Sequence, residues 1–255
     1  MGQTNISTGS LIIASSLIFV TVLFSYWQRL GLEKDTLIGV FRAVIQLVIV
    51  GYLLKYVFQI DDIWFTCLIL LFMMANAAYN TKNRGKYIDK SFLISFLGIF
   101  VGEVITLLVL ILSKSIEFTA YQVVPVSGMI ISNSMVAIGL CYSNMTDNFK
   151  DRRHEIEAKL SLGAGVLTSS KDIIRDTMRT GMLPSIDSAK TLGIVTLPGM
   201  MTGLILAGTD PLQAIKYQLM VTFMLFSATS ISSLIVCYLS YKKFFNERAQ
   251  LVDLE

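Results

Sequence analysis

Long uncharged apolar segments alternate with short polar ones along most of the chain. A helix needs about 20 predominantly apolar residues to cross the hydrocarbon core of a bilayer. We therefore predict an all-α, polytopic membrane protein with about seven transmembrane helices in a single domain over 1–255. The predicted spans are 11–27, 37–58, 63–80, 91–113, 120–142, 191–208 and 217–241.

The composition agrees with a membrane protein. Apolar residues make up 54% of the 255 residues and charged residues only 15%, whereas soluble domains carry about 25% charged residues. The net charge of +3 does not indicate nucleic-acid binding. Three dispersed cysteines and the single histidine, His154, form neither a disulfide framework nor a zinc motif.

The basic residues predict the orientation of the helices. Most of the 21 lysines and arginines lie in 28–36, 81–90, 143–190 and the tail after 241. Because short cytoplasmic loops are enriched in Lys and Arg, we place the amino terminus outside and the carboxyl terminus in the cytoplasm. The segment 143–190 is then the only long loop, and it is cytoplasmic.

This long loop has the pattern of two amphipathic helices. Its apolar positions recur every three or four residues, with an interruption at Gly163-Ala164-Gly165 and an end at Pro184. One interpretation is a segment that lies on lipid headgroups. The other is an element that docks in a groove of a cytosolic partner.

The sequence from Glu157 to Ala164 resembles the EAA loop of ABC transporter permeases, in which Glu-Ala is followed by Gly six residues after the Glu. In that family the loop forms the coupling helix, which sits on the ATPase subunit. The resemblance implies that the residues which couple this chain to an ATPase are Glu157, Ala158, Leu160, Gly163 and Ala164.

Further segments carry a second, more specific likeness. They are Leu32–Asp35, Arg42–Leu47, Asn76–Asn80, Asp187–Thr191, Leu197–Gly203, Asp210–Pro211 and Ala214–Gln218. These segments resemble the FetB-type iron-export ABC permeases, a bacterial family linked by similarity to plant aluminium-tolerance permeases, and the likeness extends from about Leu32 to Tyr241. It implies a permease subunit in the bacterial cytoplasmic (inner) membrane that expels iron or another metal ion and serves metal homeostasis and oxidative stress resistance.

The motor of such a transporter has to be another chain. The sequence contains no Walker A pattern, so we expect no bound cofactor here and assign ATP and Mg²⁺ to a cytosolic ATPase subunit. Seven helices enclose little space, and half-transporters pair by twofold symmetry, so we expect a homodimer of permease subunits. Intramembrane enzyme motifs are missing.

Two other functions remain open. One is a seven-helix receptor or sensor, although the last predicted span contains no lysine for a retinal Schiff base. The second is an ABC permease for a substrate that is not a metal. The sequence does not identify the metal or establish the direction of transport.

Glu103 is the acid farthest from both ends of its predicted span, and it is our candidate metal ligand. A carboxylate in a membrane helix is costly and should face the protein interior or a wet cavity. The alternative is a structural hydrogen bond to a neighbouring helix.

The other candidates for a substrate pathway are uncharged. The amides Gln46, Asn76, Asn80 and Asn133 have oxygens that suit hard cations, but interhelical hydrogen bonds are the commoner role. Pro198 and Gly199 should break or kink the sixth span, and broken helices often line substrate cavities. Met200 and Met201 follow them; filling of the core is the favoured role for the methionines.

Overall fold

The computed structural model describes residues 8–60 and 62–253, and this part of the chain contains helices and two isolated β-bridges but no strands. The all-α fold class is therefore confirmed. The chain divides into two compact units, the first ending at Ile60 and the second beginning at Asp61; the single permease domain stays a prediction.

The first unit is a helical hairpin. Helix α1 comprises Thr8–Trp27 and α2 comprises Glu33–Ile60. The turn between them is fixed by the hydroxyl of Ser25, which donates to Oε1 of Glu33 at 2.8 Å and accepts from the backbone N–H of Leu32. Most described side chains of both helices are exposed, as expected for helices whose apolar surface faces lipid or another protein surface.

The second unit is a bundle centred on α5 and α9, which pack against each other; both also pack against α4 and α7, and α5 packs against α3. Its helices are α3 (Ile63–Lys82), α4 (Ser91–Leu112), α5 (Ala120–Asp151), α6 (Arg153–Ser161), α7 (Val166–Thr191), α8 (Gly199–Leu206) and α9 (Pro211–Ser240), and the 3-10 turn Tyr241–Phe244 follows.

Small residues bring α4 and α9 close together. A Cβ atom at Gly98 would lie 2.8 Å from the side chain of Val236, and one at Gly102 would lie 2.6 Å from the hydroxyl of Ser232. The same hydroxyl donates to the carbonyl of Gly98 at 3.0 Å. Membrane helices commonly associate in this way, because small residues let the backbones approach and polar side chains bond across the interface.

A buried chain of hydrogen bonds ties α3, α4 and α5 together. The hydroxyl of Thr81 donates to Ser95 at 2.8 Å, and Ser95 is bonded to the hydroxyl of Tyr142 at the same distance. Tyr142 also donates to the carbonyl of Ser91 at 3.0 Å. Each of these three buried hydroxyls therefore has a partner, so none pays the desolvation cost of an unmade bond.

Helices occupy six of the seven predicted spans. Five are long and apolar enough to cross a membrane, and Ile13–Trp27 is a shorter apolar helix. The predicted span 191–208 is not one helix: α7 ends at Thr191 and the eight-residue α8 begins only at Gly199, so the interruption that Pro198 and Gly199 predict lies at the start of α8. Gly193, with φ of 80°, and Pro198 separate the two, and neither favours continuation of a helix.

For 143–190, the predicted break at Gly163-Ala164-Gly165 is correct. The predicted end of the fifth span and the predicted helix end at Pro184 are wrong. The helix does stop at Leu162–Gly165, but α5 continues to Asp151 and α7 passes through Pro184. Contacts anchor the helix on both sides of Pro184. Gly181 packs against α5 and α9, and Ser185 donates a hydrogen bond to Thr229 of α9. Packing on both sides lets a helix contain a proline as a kink.

Candidate functional site

The second half of helix α7 lies in the bundle and packs along α9. The thiol of Cys141 on α5 donates to the carbonyl of Thr177 at 3.7 Å. A Cβ atom at Gly181 would lie 2.4 Å from that thiol and 3.1 Å from the hydroxyl of Ser233. One turn further on, Ser185 donates to Thr229 at 3.4 Å. The second half of α7 therefore belongs to the bundle and not to a surface loop.

The break after α7 lies beside the first third of α9. A tight turn joins α7 to α8, with a bridge between Leu192 and Thr196 and a hydrogen bond from the N–H of Gly193 to the carbonyl of Thr196 at 2.9 Å. Helix α8 then packs against α9. Together α7, the turn and α8 form a discontinuous helix that follows the length of α9.

A polar cavity opens at this break. Its volume is about 360 Å³. None of the described residues that line it is charged, and Pro198 forms part of the wall together with apolar side chains of α7 and α9. Its polar lining consists of Asn133, Ser185, Ser188, Thr196, Gln218 and Thr222. We refer to this space as the polar cavity.

Glu103 lies elsewhere, in a cavity of about 490 Å³ between α3 and α4 whose other lining residues are apolar apart from Cys67. Its side chain is 1% exposed. The polar group that faces it is the hydroxyl of Ser127 on α5. Neither carboxylate oxygen of Glu103 makes a hydrogen bond of normal geometry within the described residues.

No metal-binding cluster accompanies Glu103. Within 8–60 and 62–253, no group of three or more His, Cys, Asp or Glu side chains is arranged to hold a metal ion. The role of Glu103 as a metal ligand therefore stays a prediction. Any ion held there would need oxygen ligands from water or from uncharged groups.

The remaining predicted pathway residues fall into separate places. Asn80 donates from Nδ2 to the carbonyl and to Oδ1 of Asn76 at 2.9 Å, and this pair of amides is exposed. Gln46 is exposed on α2. Gly199 is exposed at the start of α8, where Met200 and Met201 are partly buried. Of the predicted set, Asn133 and Pro198 line the polar cavity.

The structure adds residues to the candidate site that the sequence reasoning missed. Gln218, Thr222, Thr229 and Ser233 are spaced by four, seven and four positions along α9, and the first three face the polar cavity or the helix that walls it. Polar residues with a helical period inside an apolar span mark one face of a helix. This stripe is the signal that could have identified them.

The predicted coupling residues lie on a hairpin formed by α6 and the start of α7, which we call the coupling hairpin. Gly163 adopts φ of 85° at its tip, and the neighbouring Leu162 is 88% exposed. Ala158 is exposed, Ala164 is partly buried, and Leu160 packs against the buried core. A hairpin of this kind presents an apolar side chain on a short rigid helix end.

Charged side chains brace the coupling hairpin. Glu155 accepts from Arg152 and Lys159 at 2.7 Å each, and Lys159 also contacts Asp172 of α7 at 3.0 Å. These hydrogen bonds lower the pKa of Glu155 from 4.5 to about 2. Glu157 accepts from Arg153 at 2.8 Å. The ion pairs join α6 to α7 and hold the exposed tip in place.

The whole described bundle matches a known sequence family. Residues 8–245 match the uncharacterised protein family UPF0014. The chain is 54% identical over 252 residues to a protein of Escherichia coli K12 named "Probable iron export permease protein FetB", covering 99% of this chain and 97% of that one. The chain belongs to the UPF0014 family.

Other UPF0014 members come from distant organisms. The membrane protein YjkA of Bacillus subtilis is 37% identical, covering 96% of this chain and 98% of its own. Protein ALUMINUM SENSITIVE 3 of Arabidopsis thaliana is 31% identical, covering 92% and 86%. No solved structure matches the chain. The FetB resemblance is thus confirmed, and the UPF0014 chain is a multi-pass membrane protein of permease type.

Proposed function

We propose that this chain is the membrane subunit of an ABC transporter that exports iron or another metal ion from the bacterial cytoplasm. A separate ATPase subunit binds the coupling hairpin and supplies the energy from MgATP. The name of the 54%-identical relative, probable iron export permease protein FetB, supports the substrate and the direction. Two copies of this chain form the complete pathway in the inner membrane.

The observation that carries the docking proposal is the geometry of the coupling hairpin. Leu162 is an apolar side chain that is 88% exposed at a tip otherwise surrounded by ion pairs. An exposed apolar anchor within a polar rim is the usual anatomy of a protein–protein contact. A Cβ atom added at Gly163 would have no atoms within 4 Å of it, so the tip leaves room for a partner surface.

Copurification of the ATPase tests this proposal. Leu162→Glu and Gly163→Trp should leave the permease in the membrane but reduce recovery of the ATPase by at least tenfold, because each removes the anchor or fills the space beside it. His154→Ala is the matched control, since His154 is on the same helix and its side chain is 99% exposed. Equal recovery with all three variants would contradict the docking proposal.

Transport itself is measured in inside-out membrane vesicles, where export appears as uptake. With ATP and the ATPase present, Fe²⁺ or Mn²⁺ should accumulate in the vesicles. Accumulation without ATP, or movement only in the opposite direction, would contradict an ATP-driven exporter. An ATP-dependent flux that no metal stimulates would instead support a permease for another substrate.

The orientation has its own test. The distribution of Lys and Arg places the α2–α3 connection outside and the tail after α9 in the cytoplasm. An alkaline phosphatase fusion after Gln59 should therefore be active, and one after Gln250 inactive. The reverse pattern would move the coupling hairpin to the wrong side of the membrane for a cytosolic ATPase.

A further inference from the structure

Gln218 has an unmet hydrogen-bonding group that faces the polar cavity. The residue is 9% exposed and lines the cavity wall. Its Oε1 atom has no hydrogen-bond partner within the described residues. A buried acceptor without a partner is unfavourable, and such groups in native proteins usually serve a ligand, a water or a strained functional state. Gln218 thus offers an unpaired acceptor to an occupant of the cavity.

The neighbouring polar groups have already used hydrogen-bond donors inside the protein. Asn133 donates from Nδ2 to a backbone carbonyl one turn earlier at 2.8 Å. Thr222 donates to the carbonyl of Gln218 at 2.8 Å. What Asn133 and Thr222 retain for the cavity is chiefly Oδ1 of the amide and the lone pairs of the hydroxyl.

The serine and threonine on the α7 side follow the same rule. Ser185 donates its single hydroxyl proton to Thr229 at 3.4 Å, and the hydroxyl of Thr196 lies 3.5 Å from the carbonyl of Thr191, to which it donates. Their remaining capacity is to accept. With Oε1 of Gln218 and Oδ1 of Asn133, these hydroxyls give the polar cavity several oxygen acceptors, which suit an occupant that brings positive charge.

The donor set also decides which kind of cation fits. The lining contains oxygen atoms but no thiol, thioether or imidazole among its described residues; Met200 and Met201 on α8 are not part of it. Hard cations prefer carbonyl, hydroxyl and water oxygens, whereas soft ions prefer sulfur. At the break, the carboxyl end of α7 carries a partial negative charge and the amino end of α8 a partial positive one. Because these partial charges offset each other, the side chains of the lining decide which ion binds.

We propose that the polar cavity is a binding site for a hard, partly hydrated divalent metal ion, which Gln218, Asn133 and Thr222 coordinate through neutral oxygen atoms. This proposal deepens and rests on the proposed transport function. Neutral ligands leave the ion's charge uncompensated, so binding is weak. Weak binding suits a pathway, since an ion that is transported has to leave its site again.

Direct binding of Mn²⁺ to the purified permease in lipid nanodiscs tests the site without any ATPase. We expect saturable binding by the parent, followed by electron paramagnetic resonance, and a loss of affinity of at least tenfold in Gln218→Leu. Gln213→Leu is the matched control, because Gln213 is exposed on the same helix and should bind like the parent. No saturable binding by the parent would overturn the proposal.

Two further variants keep the test decisive. Gln218→Glu retains an oxygen donor and adds a charge, so it should bind Mn²⁺ about tenfold more tightly at neutral pH; unchanged or weaker binding would point to an uncharged, donor-bearing occupant and overturn the proposal. Should Gln218→Leu unfold, Thr222→Val answers instead, since it has nearly the same volume and removes one oxygen. It should lose about threefold in affinity, and an unchanged affinity would count against the site.

The outcome separates this proposal from the transport function. If the ATPase never copurifies but Mn²⁺ binding depends on Gln218, the transport proposal fails and the site stands. If the ATPase drives flux while Gln218→Leu and Gln213→Leu bind Mn²⁺ equally, only the site fails. Competition with other metal ions tests whether the site prefers hard cations. Mg²⁺ should displace bound Mn²⁺ and Cu⁺ should not, and the opposite order would overturn the assignment to a hard cation.

Discussion

Two polar places in the bundle differ in how their oxygen atoms are arranged. The cavity at Glu103 concentrates a carboxylate among apolar side chains of α3 and α4. The polar cavity distributes six uncharged polar side chains around a helix break. Of the two, the second offers more oxygen ligands to an ion, although the first has the formal charge. The number and convergence of donors therefore mark a cation site better than one acid does.

The largest expected effect comes from the helix that walls the polar cavity. In Gly181→Leu, a side chain has to fit where even a Cβ atom would lie 2.4 Å from the thiol of Cys141. We expect destabilisation of about 3 kcal/mol or more, measured as a lowered thermal midpoint in nanodiscs.

The control for this variant is Gly203→Ala on α8, where no atom lies within 4 Å of the new Cβ. Its thermal midpoint should stay close to that of the parent. If Gly181→Leu were as stable as Gly203→Ala, α7 would not pack in the bundle as described, and the polar cavity would lose its wall.

The next effect concerns the cavity at Glu103. Glu103→Gln keeps the volume but removes a buried carboxylate that has no hydrogen bond within the described part of the chain, so stability should rise by about 1 kcal/mol. Mn²⁺ binding at the polar cavity should not change, because Glu103 does not line it.

ATP-driven metal flux through Glu103→Gln should nevertheless fall, because a passing cation meets a dipole where it met a full charge in a low dielectric. Undiminished flux would remove Glu103 from the pathway. A collapse of folding would favour a structural hydrogen bond in its place.

A third variant examines a buried polar cluster in which every group is paired. Tyr142→Phe removes the hydroxyl that bonds to Ser95 and to the carbonyl of Ser91, and it should cost about 1–2 kcal/mol of stability. Tyr79→Phe, at an exposed tyrosine, is the control and should change the thermal midpoint little. Equal midpoints would mean that the buried bonds do not contribute.

The smallest effect belongs to the exposed charges of the coupling hairpin. The folded state holds the pKa of Glu155 at about 2 instead of 4.5, so the stability it contributes is present above pH about 4.5 and is lost as the pH falls toward 2. Because the side chain is 42% exposed, the contribution is only about a few tenths of a kcal/mol.

The comparison for this effect is Glu155→Gln. The difference between the thermal midpoints of parent and variant should shrink below pH about 4.5 and also shrink in high salt, which screens exposed pairs. A difference that persists at the lowest pH would assign the effect to packing of the side chain and not to its charge.

Charge and hydropathy made part of this molecule predictable from its sequence. Glu103 stands out as an acid in an apolar span, and the structure does bury it. The interruption at Gly163 was equally visible, because Gly and a change of period mark the end of a helix. Both signals are local, so no knowledge of the neighbouring helices was needed.

The polar cavity could not be predicted in the same way. Hydropathy predicts one span over 191–208 because it averages composition. Pro198 and Gly199 do predict an interruption in it, but the tight turn before them depends on the backbone of Gly193. Pro184 predicts an end to α7 that packing on α5 and α9 prevents. Gln218 gains its significance only when Asn133 of another helix is placed across the cavity from α9.

Helix α7 runs from the coupling hairpin to the wall of the polar cavity, with the Pro184 kink inside it. It has 26 residues, from Val166 beside the hairpin tip to Thr191 at the break, which is about 39 Å of helix. At Gly181 it packs closely against both α5 and α9. A tilt of about 10° around that pivot moves Val166 by roughly 4 Å and Thr191 by roughly 3 Å in the opposite direction. A tilt of that size moves Ser185 and Ser188, which α7 contributes to the wall of the polar cavity, relative to Gln218 and Thr222 on α9, so a small rotation at the hairpin changes the shape of the cavity.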